Sequence, residues 1–442
     1  MTLIQALESG RPVAVFADGE NVRYFLDTPA GVIHLSTPVS QWQSLAGRFP
    51  SLDWFERAIS EETGLIPAGR DNLKPLRRHD LPYAFYRHPD LEVHQVPVGP
   101  VHAGIIEPGH FRFSVLGERV QNLEIRLGYQ HRGMEKLFTG KALDQAILLA
   151  ERVGSEPVAH ALAFCRALEA ATGTQPPRRA QVLRLVLLEM ERIFQHLGHL
   201  AGLFTDIGYS FAAVQIGKVR ALAQGQLEKL CGHRYGRNAL RVGGLWIEPD
   251  LITLRSVQDD LEALGQEAAE VLGYALENPM VLDRMRYLGE VPLEAALELG
   301  MVGPAARASG VAQDLRQDEP LCQPFNPVVR PGGDVLARTQ VYTEETRVSF
   351  ELIDHWLSDL PDGPVHSDIT LSDGEGWACL EAARGEVFWF VRLDDGKVET
   401  ARVVDPSFKN WPGLEVAMGG EGLPDFPLCN KSFDLSYAGS DL

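Results

Sequence analysis

The side chains equipped for chemistry gather in two places. One is the stretch 104–172, which places His131 in the glycine-flanked string Gly128-Tyr129-Gln130-His131-Arg132-Gly133. A loop imidazole titrates near neutrality and can face a ligand. The plainer reading is a histidine that bonds backbone. The other place is a helical run carrying Glu189, Glu191, His196 and His199. His196 and His199 stand at i, i+3, so they share a helix face on which a metal could bind. No His-Glu-x-x-His order accompanies them, and packing at a helix interface is the better reading. Ser155 and Ser436 are nucleophiles by type, but neither has a base placed for it. The five cysteines (Cys165, Cys231, Cys322, Cys379 and Cys429) lie far apart and form no C-x-x-C pair. That spacing suits reduced thiols and excludes a thiolate metal centre built from sequence-local pairs.

These residues need elements to hold them. Residues 109–128 read as a hairpin: Phe111, Phe113 and Val115 alternate with Arg112 and Ser114, Gly117-Glu118 turns the chain, and Leu123, Ile125 and Leu127 return. The hairpin aims the His131 loop that follows it. From 134 to about 277 the pattern is helical. Its longest run, Gln181 to Phe204, repeats apolar residues near a 3.6 period, and Leu251 to Leu276 gives another helix. Arg178-Arg179 at the start of the first run opposes the helix dipole, so a partner or an acidic neighbour is expected to compensate there. Upstream, short β runs (13–16 and 32–35) and a helix (51–62) suggest a small module. The basic Arg77-Arg78-His79 reads as solvated or docking charge. Downstream, a helix is expected over 341–360, and 377–380 and 387–391 read as strands. The fold class is therefore α+β. A small N-terminal α/β module (1–80) and a linker rich in Pro and His (81–100) precede a large domain (101–442). That domain has long helices, a β-hairpin before them and a mixed β-rich C-terminal part.

The 442 residues carry a formal net charge of −19, which argues against nucleic acid or an anionic lipid surface as a direct partner. The N-terminus has no basic region followed by an apolar core, so no signal peptide is expected. No run of about 18 apolar residues spans a bilayer, so any membrane must be supplied by other subunits.

Longer strings identify a family. They are Gly99-Pro100-Val101-His102 with Glu107-Pro108-Gly109-His110-Phe111-Arg112-Phe113; Gln130-His131-Arg132-Gly133; Pro177-Arg178-Arg179-Ala180-Gln181; and Glu189-Met190-Glu191-Arg192-Ile193. Arg241-Val242-Gly243-Gly244, Arg307-Ala308-Ser309-Gly310, Arg384-Gly385-Glu386 and Asp405-Pro406-Ser407-Phe408 complete the set. With these the chain resembles the large subunit shared by group 4 membrane-bound NiFe hydrogenases and respiratory complex I (its 49 kDa subunit). Residues 50–80, with Asp71-Asn72-Leu73-Lys74-Pro75-Leu76, resemble the tail of the complex I 30 kDa subunit. The resemblance implies a peripheral subunit of an oxidoreductase complex, on the cytoplasmic side of the inner membrane, coupling electron transfer to proton or ion translocation. It implies as partners a small iron–sulfur subunit (20 kDa-like), a ferredoxin-like iron–sulfur subunit and antiporter-like membrane subunits, with the iron–sulfur clusters in those partners. It assigns Glu107 to proton relay, His131 to a quinone headgroup and Arg384 to the roof of the metal cavity.

The departures matter as much. The family's hydrogenases hold nickel and iron with two C-x-x-C pairs. Here Gly154 and Pro157 stand at the first pair, with a one-residue gap before His160, and Ser436 and Gly439 stand at the second. Without thiolates a soft nickel–iron centre has no ligands, so none is expected. The chain also ends at Leu442 without the family's maturation tail. The tyrosine that complex I uses beside quinone is replaced by Gly154 or Ser155. The reading is a redox-complex subunit whose cavity, lined by Glu107, His131 and Arg384, takes a quinone or another small acceptor. This chain itself is expected to hold no cofactor. The alternatives are a catalytically silent scaffold and, least favoured, an active hydrogenase.

Overall fold

The computed structural model describes residues 2–71, 73–102, 104 and 106–442. Asn72 and Ile105, which fall inside stretches quoted above, lie outside the described residues. The N-terminal part folds as α1 (Leu3–Ser9), an antiparallel meander of β1 (Arg11–Asp18), β2 (Asn21–Thr28) and β3 (Gly31–Pro38), and α2 (Asp53–Thr63). Gly64 ends α2 with a left-handed φ of 76°, which glycine adopts without Cβ strain. The sequence pattern gave no sign of β2, because its Asn, Arg and Asp break the apolar run.

A second antiparallel sheet joins β4 (His94–Val98), β5 (His110–Leu116) and β6 (Arg119–Arg126). The expected hairpin is β5–β6. The third strand, β4, falls inside the stretch read as a linker. It pairs along β5 from His94 opposite Val115 to Val98 opposite Phe111.

The helical body contains α3 (Met134–Leu137), α4 (Leu143–Ala150), α5 (Pro157–Thr172), α6 (Arg178–Asp206) and α7 (Ser210–Cys231). A two-residue ladder, β7 (Leu240–Arg241) with β8 (Gly244–Leu245), leads to α8 (Leu251–Glu277). Three short helices follow: α9 (Pro279–Met285), α10 (Leu293–Glu298) and α11 (Gly303–Arg307). The long α12 (Val335–Ser358) then packs on α6 and α8. Helix α6 is buried on nearly all sides, including the charged Arg184, Glu189, Glu191 and Arg192. The acidic neighbour expected at its basic start is Glu248, 3.5 Å from Arg179, which also donates to the Pro361 carbonyl (3.0 Å).

The third sheet, β9 (Gly374–Ala382), β10 (Gly385–Asp394) and β11 (Lys397–Val404), is the middle layer of the molecule. Its period-two pattern separates two cores. Phe388 and Phe390 of β10 face the N-terminal sheet, 4.9 Å from Phe25 and 5.3 Å from Phe16 between ring centroids. Trp389 faces the helices, 4.9 Å from Phe164 and 5.3 Å from Phe138. The chain closes with α13 (Pro406–Ala417), α14 (Phe426–Ser432) and α15 (Tyr437–Asp441).

Candidate functional site: a buried acid–base cluster between the α5 turn and the C-terminal segment

Two chain segments converge on one spot. The first is the turn Gly154–Pro157 that starts α5; the second is the segment 434–442 that carries α15. A Cβ built on Gly154 would lie 3.6 Å from the Gly439 Cα, so residues far apart in sequence become neighbours. The space between them holds the Asp405 carboxylate. Its Oδ2 would sit 3.0 Å from a Gly154 Cβ and 2.1 Å from a Gly439 Cβ. Asp405 caps α13 by accepting from the Ser407 N–H (2.8 Å), which fixes its backbone at the end of β11. His160, two helical positions past Val158, places its Nε2 3.2 Å from Asp405 Oδ2, and both residues are fully buried. Burial opposes ionisation of Asp405, but the His160 bond outweighs it and holds the carboxyl below its ordinary range. The His160 Nδ1 has no hydrogen-bond partner among the described residues.

A second group lies beside this pair. Arg384, at the β9–β10 turn, spans the half-buried carboxylate of Asp434 (3.0 Å) and the buried carboxylate of Glu156 (3.5 Å). Its backbone N–H donates to Glu156 as well (3.1 Å). Burial pushes Glu156 upward, with Arg384 pulling against it. For Asp434 burial also pushes upward, but Arg384 and His199 win and hold it low. His199 approaches Asp434 at 3.4 Å. The His196 Nε2 lies 2.8 Å from the Ala383 carbonyl, and burial together with Arg192 keeps the ring neutral. The His196–His199 pair therefore belongs to a helix interface with Tyr342, at 4.9 and 4.3 Å between centroids. Behind them Glu191 accepts from the Val158 and Ala159 N–H groups (2.9 and 2.8 Å), capping α5 from α6. Burial and the charge of Glu156 raise the Glu191 carboxyl well above its usual range.

Each of the three side chains singled out in the sequence touches the segment 434–441, but at different points. Glu107 accepts from the Tyr437 N–H (3.1 Å). The His131 Nδ1 lies 2.7 Å from the Asp441 carbonyl, and the Asp441 carboxylate accepts from Gly128 and Gln130 N–H (2.7 and 2.8 Å). Arg384 donates to the Asp434 carbonyl. His131 lines a cleft of about 70 Å3 with Glu61 and Glu135, while Asp405 and Gly439 line another of about 40 Å3. Ser436 caps α15, accepting from Gly439 N–H (2.9 Å), and Ser155 is exposed. Glu135, on α3, does not reach Arg384; it is held by Arg402 (2.6 Å). Nor is Arg77-Arg78-His79 simply solvated: Arg77 donates to the Ser440 carbonyl (2.8 Å) and His79 Nε2 lies 2.9 Å from the Leu127 carbonyl.

Sequence reasoning did not single out Glu156, Asp405 or Asp434. Each had a visible signal: Asp405 opens Asp-Pro-Ser-Phe, a helix cap followed by proline; Glu156 precedes Pro157; Asp434 sits in Ser-Phe-Asp. Nothing in the sequence joined them.

The fold, in which the Gly154–Pro157 turn faces the segment 434–442 beside Arg384, matches that of large subunits of membrane redox complexes. The family described as the 49 kDa subunit of respiratory-chain NADH dehydrogenase matches residues 206–371. Formate hydrogenlyase subunit 5 of Escherichia coli (strain K12) is 32% identical over 442 residues, covering 91% of this chain and 77% of that protein. The carbon monoxide-induced hydrogenase of Rhodospirillum rubrum is 32% identical over 353 residues, covering 78% of this chain and 98% of that protein. Among solved structures, a chain of the membrane-bound sulfane sulfur reductase, an archaeal respiratory membrane complex, matches at TM-score 0.74 and 28% identity. It covers 80% of this chain and 100% of that one. The chain belongs to the family of hydrogenase large subunits and complex I 49 kDa subunits, oxidoreductase components of electron transport.

Proposed function

We propose that the chain is the peripheral large subunit of a complex I-like, hydrogenase-related membrane complex that works without a nickel–iron centre. One observation carries this reading: the place where four thiolates would converge holds the Asp405–His160 pair between two glycines, within an intact family fold. Gly154, Pro157, Ser436 and Gly439 offer no sulfur donor, and a nickel–iron centre of the family's kind does not fit them. What remains can hold and pass protons. Burial raises the Glu156 carboxyl, Arg384 balances Glu156 and Asp434, and the His160 imidazole lies against Asp405 beside them.

The acceptor in this reading is a quinone or similar small molecule near His131 and Glu107. The clefts of about 40 and 70 Å3 fall far below the ~300–1,000 Å3 of small-molecule pockets. A headgroup site therefore needs a partner surface to complete it, which suits a small iron–sulfur subunit docked over the His131 loop. A ferredoxin-like subunit and antiporter-like membrane subunits complete the proposed complex, at the cytoplasmic face of the inner membrane. Among the described residues no helix is long and apolar enough to cross a membrane, so other chains would provide the bilayer part. Residues 1–80 act as the 30 kDa-like module of the chain and 101–442 as its large-subunit domain.

The test uses the purified complex. Turnover with quinone analogues is compared for wild type, His131→Ala and Arg384→Lys, with nickel measured by elemental analysis and subunits identified in each preparation. The reading expects no stoichiometric nickel and a loss of turnover on His131→Ala with subunit content intact. Stoichiometric nickel would end it. Unchanged turnover in both variants would favour the silent scaffold, the second reading that the absent tyrosine at Gly154 or Ser155 supports.

A further inference from the structure

A much larger cavity lies away from the cluster. About 610 Å3 opens where the β2–β3 turn meets α5, α6, the end of α12 and strand β9. That volume is in the range of small-molecule sites. The apolar wall comes from Leu185, Leu188, Leu380 and the indoles of Trp356 and Trp377. The Trp356 N–H is committed to the Leu321 carbonyl (2.8 Å), so this residue offers the cavity only ring carbon.

The charges on the lining decide what the wall would accept. Three guanidiniums reach it, and each is already held: Arg166 by Glu319 (2.8 Å), Arg184 by Glu169 (2.7 Å) and Arg316 by Asp314 (2.6 Å). Asp27 and Glu381 on the lining are bound by Arg11 (3.1 Å) and Arg307 (2.8 Å). Asp318, exposed, has no ion-pair partner among the described residues. An entering anion would find every guanidinium occupied and would face that carboxylate. A cation would find Asp318 unneutralised on a lining that also carries two indole rings, each worth ~0.5–2 kcal/mol to a cation seated on the face.

We infer that this cavity binds an organic cation with an apolar body: an ammonium or guanidinium head on an aliphatic or aromatic frame. The N-terminal sheet supplies part of the site through Asp27, Gly31 and Val32, so occupation ties that sheet to the helical body. The inference stands apart from the acceptor chemistry at the buried cluster.

Three probes on one frame test it: 4-phenylbutylammonium, 4-phenylbutanol and 4-phenylbutyrate, titrated into the full chain by calorimetry. The ammonium should bind saturably, about tenfold more tightly than the alcohol, the ratio that ~1.4 kcal/mol of charge recognition gives. The carboxylate should not bind. Asp318→Asn, at an exposed position, should keep the fold by circular dichroism and remove the preference for the ammonium over the alcohol. Trp377→Leu should weaken the ammonium and leave the alcohol–carboxylate order unchanged. Absence of saturable ammonium binding, binding of the carboxylate equal to that of the ammonium, or an unchanged preference in Asp318→Asn would each overturn the proposal.

Discussion

At the scale of single residues, the absent side chain of Gly439 leaves the space that the Asp405 carboxylate fills. A methyl group at 439 would meet the Asp405 carboxylate at 2.1 Å, and that carboxylate is anchored by His160 and by the Ser407 N–H. Gly439→Ala should therefore cost ~1–3 kcal/mol of stability, the usual range for overpacking a filled site. In an Asp405→Ala background the same change should be nearly neutral. Urea denaturation of the four proteins of this cycle measures the coupling, and additive effects would remove the argument. A different buried carboxylate sets a pH dependence. Burial alone would raise Glu386, but Arg11 and Lys409 outweigh it and bring it down to about 2, from an ordinary 4.5. A carboxyl depressed on folding stabilises the fold above its unfolded pKa, and that contribution disappears as pH falls toward the folded value. Glu386→Gln should thus be less stable than wild type at pH 7, with the gap closing between pH 4.5 and 2. A gap that stays constant across that window would refute the assignment.

At the scale of elements, helix ends and sheet faces are held by side chains from other elements. The N-terminus of α5 has no cap of its own from Glu156; the Glu191 side chain of α6 supplies the acceptor for two of its N–H groups. Glu191→Ala should leave those donors buried and unpaired, at ~1–3 kcal/mol each, whereas Glu191→Gln should retain part of the bonding. Chemical denaturation distinguishes the two; equal losses would count against capping. Between layers, Arg11 of β1 reaches the fully buried Glu386 of β10 (2.5 Å), next to Lys409. Arg11→Met breaks one side of a buried pair and should cost ~3–5 kcal/mol, measurable as a shift in the denaturation midpoint.

At the scale of the whole molecule, the N-terminal part and the large domain are built around shared cores. Phe16 and Phe25 pack on Phe390 and Phe388, and Phe55 on Phe408 of α13 (5.1 Å), so one apolar cluster runs from residue 6 to residue 437. Such continuity favours unfolding as a unit. Phe25→Ala should remove ~3–5 kcal/mol and lower the melting temperature of the entire chain in a single calorimetric transition. A separate early transition for the N-terminal part would show the two to be independent units.

The sequence by itself determined the family, the α+β class, the β5–β6 hairpin and the long helices. These rest on local patterns, such as alternation around Gly117-Glu118 or the period of α6, and on motif strings that survive without contacts. It also determined that Gly154, Pro157, Ser436 and Gly439 carry no sulfur. It did not mark β2 or β4, whose polar residues mask strand character that only sheet pairing reveals. Nor did it join Glu156, Asp405 and Asp434 to Arg384 and His160. Those partners are separated by as many as 245 positions in the chain for the His160–Asp405 pair. Only the tertiary structure decided that Asp405 occupies the space between two glycines, and that Glu107, His131 and Arg384 meet the segment 434–441 at separate points. The reason is physical: local pattern fixes which elements form, whereas a buried charge finds its counter-charge only once the layers have packed.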